Sequence, residues 1–409
     1  MISCSSSNDV AVTMNHDKIF YSEIYDNIGD STFQAFTRGQ KFEFIQKYAI
    51  YKYILSSDQN EIAFPGLTVN QLINRIKHDK IILEMEKYIR SQFSVSDSVL
   101  EFIGDALNKD VYVRVITVSH QFSFGKTSNR TKEEARKRAE NIYKRIYSGE
   151  LSYEEALSIY GEFAAAKIKG NEMGQIYFGL MAKPFNDRIW TSSMETLLEP
   201  IETPIGFHVV IVDQWLPKTG KDKKSFDPNQ LAKDLKSGKY GYYEEEFLEF
   251  LDTLYKKYDV HLDENEFYRA WDSVKNIEGI NTISGININE LRKMNDSFIL
   301  GKIGEKDLTL DWVINEANHY SFYHSVGINN GFSFEKIIRD VIARYLLVRW
   351  FEDHAKSFPR FEQSLRTELM NQVYHLYIDK LQKENPDLTK KIILNRIMVK
   401  EGIEIQCCP

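Results

Sequence analysis

A chain of 409 residues allows two or three domains. Its 43% apolar content, with 13% of all residues aromatic, is enough to build real cores and excludes wholesale disorder. The net charge of −7 and isoelectric point of about 5.8 lack the basic footprint of a nucleic-acid partner, and no stretch reaches the ~18–20 apolar residues needed to span a bilayer.

The chain opens Met1-Ile2-Ser3-Cys4-Ser5-Ser6-Ser7, without the charged and apolar regions of a secretory signal. A small residue before a cysteine and then a polar, Ser-rich tether resemble the start of a mature bacterial lipoprotein. On that reading Cys4 carries the lipid, membrane attachment runs through it, and Met1 to Ser3 are the remnant of a trimmed signal. The alternative is an ordinary flexible N-terminus. The other two cysteines, Cys407 and Cys408, are adjacent, which gives neither a disulfide framework nor a zinc spacing. Histidines lack a paired-ligand spacing, and no GxxxxGK[ST], GxSxG or GxGxxG motif occurs. No cofactor is expected.

Residues 1–9 read as a tether and 10–110 as a helical segment. Val10 to Met14 and Ile19 to Tyr21 flank a polar turn, a small hairpin from which Ser22 would cap a helix opening at Glu23. Helical spacing recurs at Ile45, Tyr48 and Ala49, at Leu72, Ile73 and Ile76, and again at Ile81, Ile82, Met85 and Ile89.

The character changes over 111–216. Val111 to Val118 is rich in β-branched residues and predicts a strand. Thr131-Lys132-Glu133-Glu134 and Ser152-Tyr153-Glu154-Glu155 are capping boxes that open two helices, the first closed by Gly149. A Gly-punctuated stretch leads to about Met181, and Gly206 to Val212 is a closing strand. This order is an α+β pattern. Residues 217–240, rich in Lys, Gly and Asp, read as a linker or mobile loop. Residues 241–409 are mostly helical, with one face at Ile338, Val341, Ile342, Tyr345 and Leu346 and another at Leu365, Leu369, Leu376 and Tyr377. Ile303 to Asp311 lines up with Met14 to Ser22, an internal repeat of the hairpin-to-helix unit. The predicted architecture is an α+β multidomain chain, with helical N- and C-terminal segments around a middle domain of antiparallel sheet and helices.

Five stretches of the middle segment stand in order at compatible spacing. They are Glu133-Glu134-Ala135, Gly149-Glu150-Leu151-Ser152, Lys169 to Gly174, Gly179 to Phe185, and Glu199 to His208. Together they resemble a parvulin-type prolyl isomerase domain, set between helical segments like those of envelope chaperones of the SurA and PrsA type. Rotation about an Xaa-Pro bond needs no covalent chemistry. It needs an apolar slot for the proline ring and polar groups that favour the twisted amide. The resemblance implies a slot lined by Met181 and Phe185, with Ile205 and Phe163 beside it, and a closing-strand His208 with Thr203. Read without it, Met181 and Phe185 at i, i+4 are a core pair and His208 a satisfied strand histidine.

The chain departs from the family twice. The usual first-strand histidine is Val115 here, so a hydrogen-bonding pair loses one member; His120, five residues on, points to the opposite sheet face by alternation. At or near the usual loop Cys or Asp stands Phe163, with Glu162 as a carboxylate one residue away. The expectation is an envelope or periplasmic chaperone for unfolded or partly folded envelope proteins and proline-containing peptides, its isomerase activity weak or lost. The alternatives are an active isomerase using His208, Thr203 and Glu162, or an adaptor lipoprotein with one folded partner.

Overall fold

The structure, a computed structural model, describes residues 9–15, 17–57, 67–125, 128–162, 172–223, 225–280, 282–294 and 297–406. Cys4, Phe163, Cys407 and Cys408 lie outside the described residues. Contacts gather the chain into two compact units, one of residues 1–83, 318–321 and 348–409, the other of 84–317 and 322–347.

In the first unit, β1 (Val10–Met14) and β2 (Asp17–Phe20) form the expected hairpin. The outer edge of β1 pairs with Glu404–Ile405, with Val12 opposite Ile405. The helix that follows, Tyr21–Ile28, starts before Ser22. The cap is supplied from inside the helix, because the Glu23 carboxylate accepts from the Phe20 amide at 3.2 Å. Tyr21, Ile24 and Phe33 are buried with Phe44, Ile45 and Tyr48 of the Arg38–Ser56 helix, and both the Tyr21–Ile28 and Arg38–Ser56 helices pack on Phe361–Glu384. On that last helix Leu365, Leu369 and Tyr377 are buried, whereas Leu376 is exposed. Val373 follows Leu369 at i+4 and takes the inward position, which leaves Leu376 on the flank. The helical spacings over 72–76 and 81–89 belong to one helix, Val69–Gln92, since no glycine or proline interrupts it.

The second unit is built on a four-stranded antiparallel sheet. Its strands are β3 (Lys109–Val118), β4 (Glu172–Tyr177), β5 (Thr196–Thr203) and β6 (Gly206–Pro217), in the order β4-β3-β6-β5. Strand alternation divides the core. Val111, Val113 and Val115 join Phe185, Ile189, Val210 and Val212 on one face, while Ile116 and Val118 meet Ala135, Ala139, Ile142 and Leu157 on the other. The helices on this second face, Lys132–Tyr147 and Tyr153–Tyr160, start at the two capping boxes, where Thr131 and Ser152 each accept from the third amide on at 3.2 Å. Gly206, at φ +136°, opens β6 where a Cβ would come within 2.4 Å of the Val118 carbonyl oxygen, so only glycine fits this approach. Strands β4 and β5 fill stretches whose glycines and prolines hide their pairing.

The described residues of 217–240 pack on the sheet core rather than forming a linker. Pro217 ends β6, and Pro228–Lys236 is a helix capped by the Asp227 side chain, with Leu231 and Leu235 in the core behind β3 and β6. The repeat seen in the sequence has a structural counterpart. Ile299–Ile303 and Lys306–Thr309 form an antiparallel hairpin that runs into the eight-residue helix Leu310–Ala317, as β1 and β2 run into Tyr21–Ile28. Here Thr309 accepts the capping bond, from the Trp312 amide at 3.1 Å.

Candidate functional site

Of the residues singled out in the sequence, His208, Thr203, Phe185 and Met181 gather by the face of the sheet that carries Val115. His208 sits on β6 directly opposite Thr117 of β3. Its Nδ1 lies 2.9 Å from Thr117 Oγ1 and its Nε2 lies 2.7 Å from Thr203 Oγ1. The Ile205 amide donates to Thr203 Oγ1 at 3.1 Å. A fully satisfied arrangement directs the Thr203 proton at Nε2 and leaves Nδ1–H to donate to Thr117. His208 is 2% exposed, and burial lowers its pKa to about 4, so the ring is neutral at physiological pH. The Phe185 ring stands edge-on to the imidazole, 5.4 Å away at 89°.

Phe185 comes from the Lys183–Trp190 helix, with Pro184 in its first turn. It is fully buried, whereas Met181 and Ile205 are only half-buried. Asn186 holds the turn that carries Met181 by donating to the Met181 carbonyl at 2.6 Å. The slot residues Met181 and Phe185 are therefore fixed as one unit, and both contact the core of the Val115 face.

Glu162 is placed differently. Its Oε2 accepts from the Ser119 amide at 3.0 Å and from the Ser119 hydroxyl at 2.6 Å, and its Oε1 accepts from Arg130, at 2.7 Å from one guanidinium nitrogen and also from the other. The carboxylate ties the end of β3 to the loop before the first helix. Its acceptor capacity is committed there and not to His208. His120 belongs to the same loop: its Nδ1 accepts from the Phe122 amide at 3.2 Å and its ring neighbours Phe207 of the helical face. Burial lowers its pKa to about 4 as well.

Thr117 is the site residue that sequence reasoning passed over. It lies two residues after Val115, hence on the same face, and its register opposite His208 lets a hydroxyl satisfy the nitrogen that a first-strand histidine would otherwise engage. Alternation alone pointed to it. What the arrangement offers chemically is a neutral imidazole flanked by two hydroxyls under an apolar wall. Within it, none of these side chains carries a formal charge near His208.

Residues 101–215 match the family model described as the PPIC-type PPIASE domain. The chain thus carries a parvulin-type prolyl isomerase domain. Among its relatives is Foldase protein PrsA 1 of Bacillus cereus, 27% identical over 149 residues, which are 36% of this chain and 46% of that protein. Foldase protein PrsA of Caldanaerobacter subterraneus is 22% identical over 263 residues, 58% of this chain and 85% of that protein. The chain thus spans about half the length of the first of these and most of the second. A solved structure of a PrsA peptidylprolyl isomerase from Bacillus cereus aligns with 63% of this chain and 95% of its own, at 17% identity and a TM-score of 0.31.

Proposed function

We propose that this protein is a folding chaperone of the cell envelope that binds unfolded or partly folded polypeptides, with a parvulin-type domain whose isomerase activity is weak or lost. The observation that carries the reading is that the polar groups around His208 are either missing or already committed. Val115 can neither donate nor accept, Glu162 is bound to Ser119 and Arg130, and both ring nitrogens of His208 already face hydroxyls. Polar groups stabilise the twisted amide, while the apolar slot holds planar and twisted forms alike, so binding outlasts catalysis. The names of the relatives, foldases, agree with a polypeptide client. Attachment through a lipid on Cys4 and proline-containing peptides as ligands belong to the same reading.

Retention of the His208–Thr203 pair favours the second reading, an active isomerase with an altered site. A tetrapeptide isomerisation assay separates the two. The expected result is no rate above the uncatalysed one, together with suppression of aggregation of an unfolded client. A robust rate in the unmodified protein overturns the degenerate-site reading. Thr117→His, which puts an imidazole at the register position opposite His208, is the internal control and is expected to raise any residual rate.

A further inference from the structure

Away from His208, the second unit contains a cleft of about 550 Å³, inside the range of pockets that hold ligands. It lies between the 93–102 segment, the Lys183–Trp190 helix and the start of the Tyr242–Lys257 helix. Its floor is apolar: Phe93 is buried, and Val95, Val99 and Phe102 are half-buried against the sheet core with one side uncovered. Its rim is acidic. Asp187, Glu245 and Glu246 face a single cation, Lys183, so the four side chains sum to −2.

Lys183 is already committed. Its Nζ lies 2.5 Å from Asp187 and 2.5 Å from Glu245, and 4.5 Å above the Tyr242 ring. Glu246 is therefore left over. It is half-buried, and among the described residues it has no ion-pair or hydrogen-bond partner. Burial raises its pKa, with Glu249 and Glu245 adding to the effect and Lys183 opposing it in part. A carboxylate in partly apolar surroundings, crowded by its own kind, is stabilised by a cation brought from outside.

We propose that this cleft binds an extended polypeptide segment in which an apolar side chain neighbours a lysine or arginine, the apolar group on the Val95–Phe102 floor and the cation at Glu246. The proposal rests on the chaperone reading and gives it a client class. An acidic segment is excluded by the same rim that attracts a basic one, so charge sets selectivity while the floor supplies common affinity.

The experiment is fluorescence anisotropy on the full chain with two labelled, unstructured peptides. They share their apolar residues and differ only in carrying Lys or Glu between them. The basic peptide is expected to bind about tenfold more tightly, a ratio that shrinks as salt is added. Glu246→Lys is expected to remove or invert the preference and Glu246→Gln to reduce it. Glu278→Lys, the same charge change on an exposed turn outside the cleft, leaves it intact. Equal binding of the two peptides overturns the proposal, as does a preference untouched by Glu246→Lys or lost equally with Glu278→Lys. Aggregation suppression without peptide discrimination removes the cleft and spares the chaperone reading. Discrimination without suppression does the reverse.

Discussion

His208 is held by two threonines of different origin, and each makes a separate prediction. Thr117→Val leaves Nδ1 facing a methyl group in a buried site, a loss of about 1–3 kcal/mol of stability. Urea unfolding of Thr117→Val beside Thr117→Ser checks it, since serine keeps the hydroxyl and most of the stability. The pH dependence follows from the depressed pKa values of His208 and His120, both about 4 against an ordinary value near 6.5. Below 6.5 the unfolded chain takes up protons that the folded chain refuses. The stability contributed by the neutral rings is thus complete above about pH 6.5 and lost as pH falls toward 4. A urea midpoint that declines across this window, with a shallower decline in His208→Gln, is the expected result. At this scale the sequence was readable where a motif named the residue, as for His208, Thr203, Met181 and Phe185. Thr117 belonged to no motif, and the commitment of Glu162 to Arg130 depends on a loop closure, 32 residues apart, that spacing cannot display.

Elements with strong local signals emerged as expected. The capping boxes at Thr131 and Ser152 start their helices because a hydroxyl and a carboxylate three residues apart satisfy amides that helix geometry leaves unpaired. Elements whose identity comes from tertiary contact did not. The Pro228–Lys236 helix was obscured by its charge, since Leu231 and Leu235 are buried in the core with Ala232 packed beside them, while its lysines are exposed. The signal available was Asp227-Pro228, a cap followed by proline in the first turn. Leu235→Ala is expected to cost about 2–5 kcal/mol, as for other fully buried leucines, whereas truncation of a leucine in a true linker costs nothing. Chemical denaturation combined with limited proteolysis over 217–240 checks both the size and the place of the effect.

The two hairpin-to-helix repeats show how one local pattern serves different surroundings. Each copy turns from antiparallel strands into an eight-residue helix, yet the first caps itself through Glu23 and the second through Thr309. The pattern of apolar residues fixes the turn into a helix. The side chain that supplies the missing acceptor shifts by a position or more, which is the usual uncertainty of helix ends.

At the scale of the whole molecule, the second unit is drawn from one nearly continuous run, 84–347, whereas the first is assembled from both ends. Val12 pairs with Ile405, and the Tyr21–Ile28 and Arg38–Ser56 helices bury their apolar faces on Phe361–Glu384. A chain delivered from its N-terminus, whether by a ribosome or through a translocation pore, presents these segments in the wrong order for immediate burial. The faces by which these two helices meet 361–384 must wait for that partner while some three hundred intervening residues arrive. A chain stopped after residue 347 is expected to show a protease-resistant core within 84–347 and rapid cleavage over 10–57; equal resistance of both regions would refute it. Until its own last helices appear, the beginning of this protein is an unfolded, apolar segment of the kind it is proposed to protect in others.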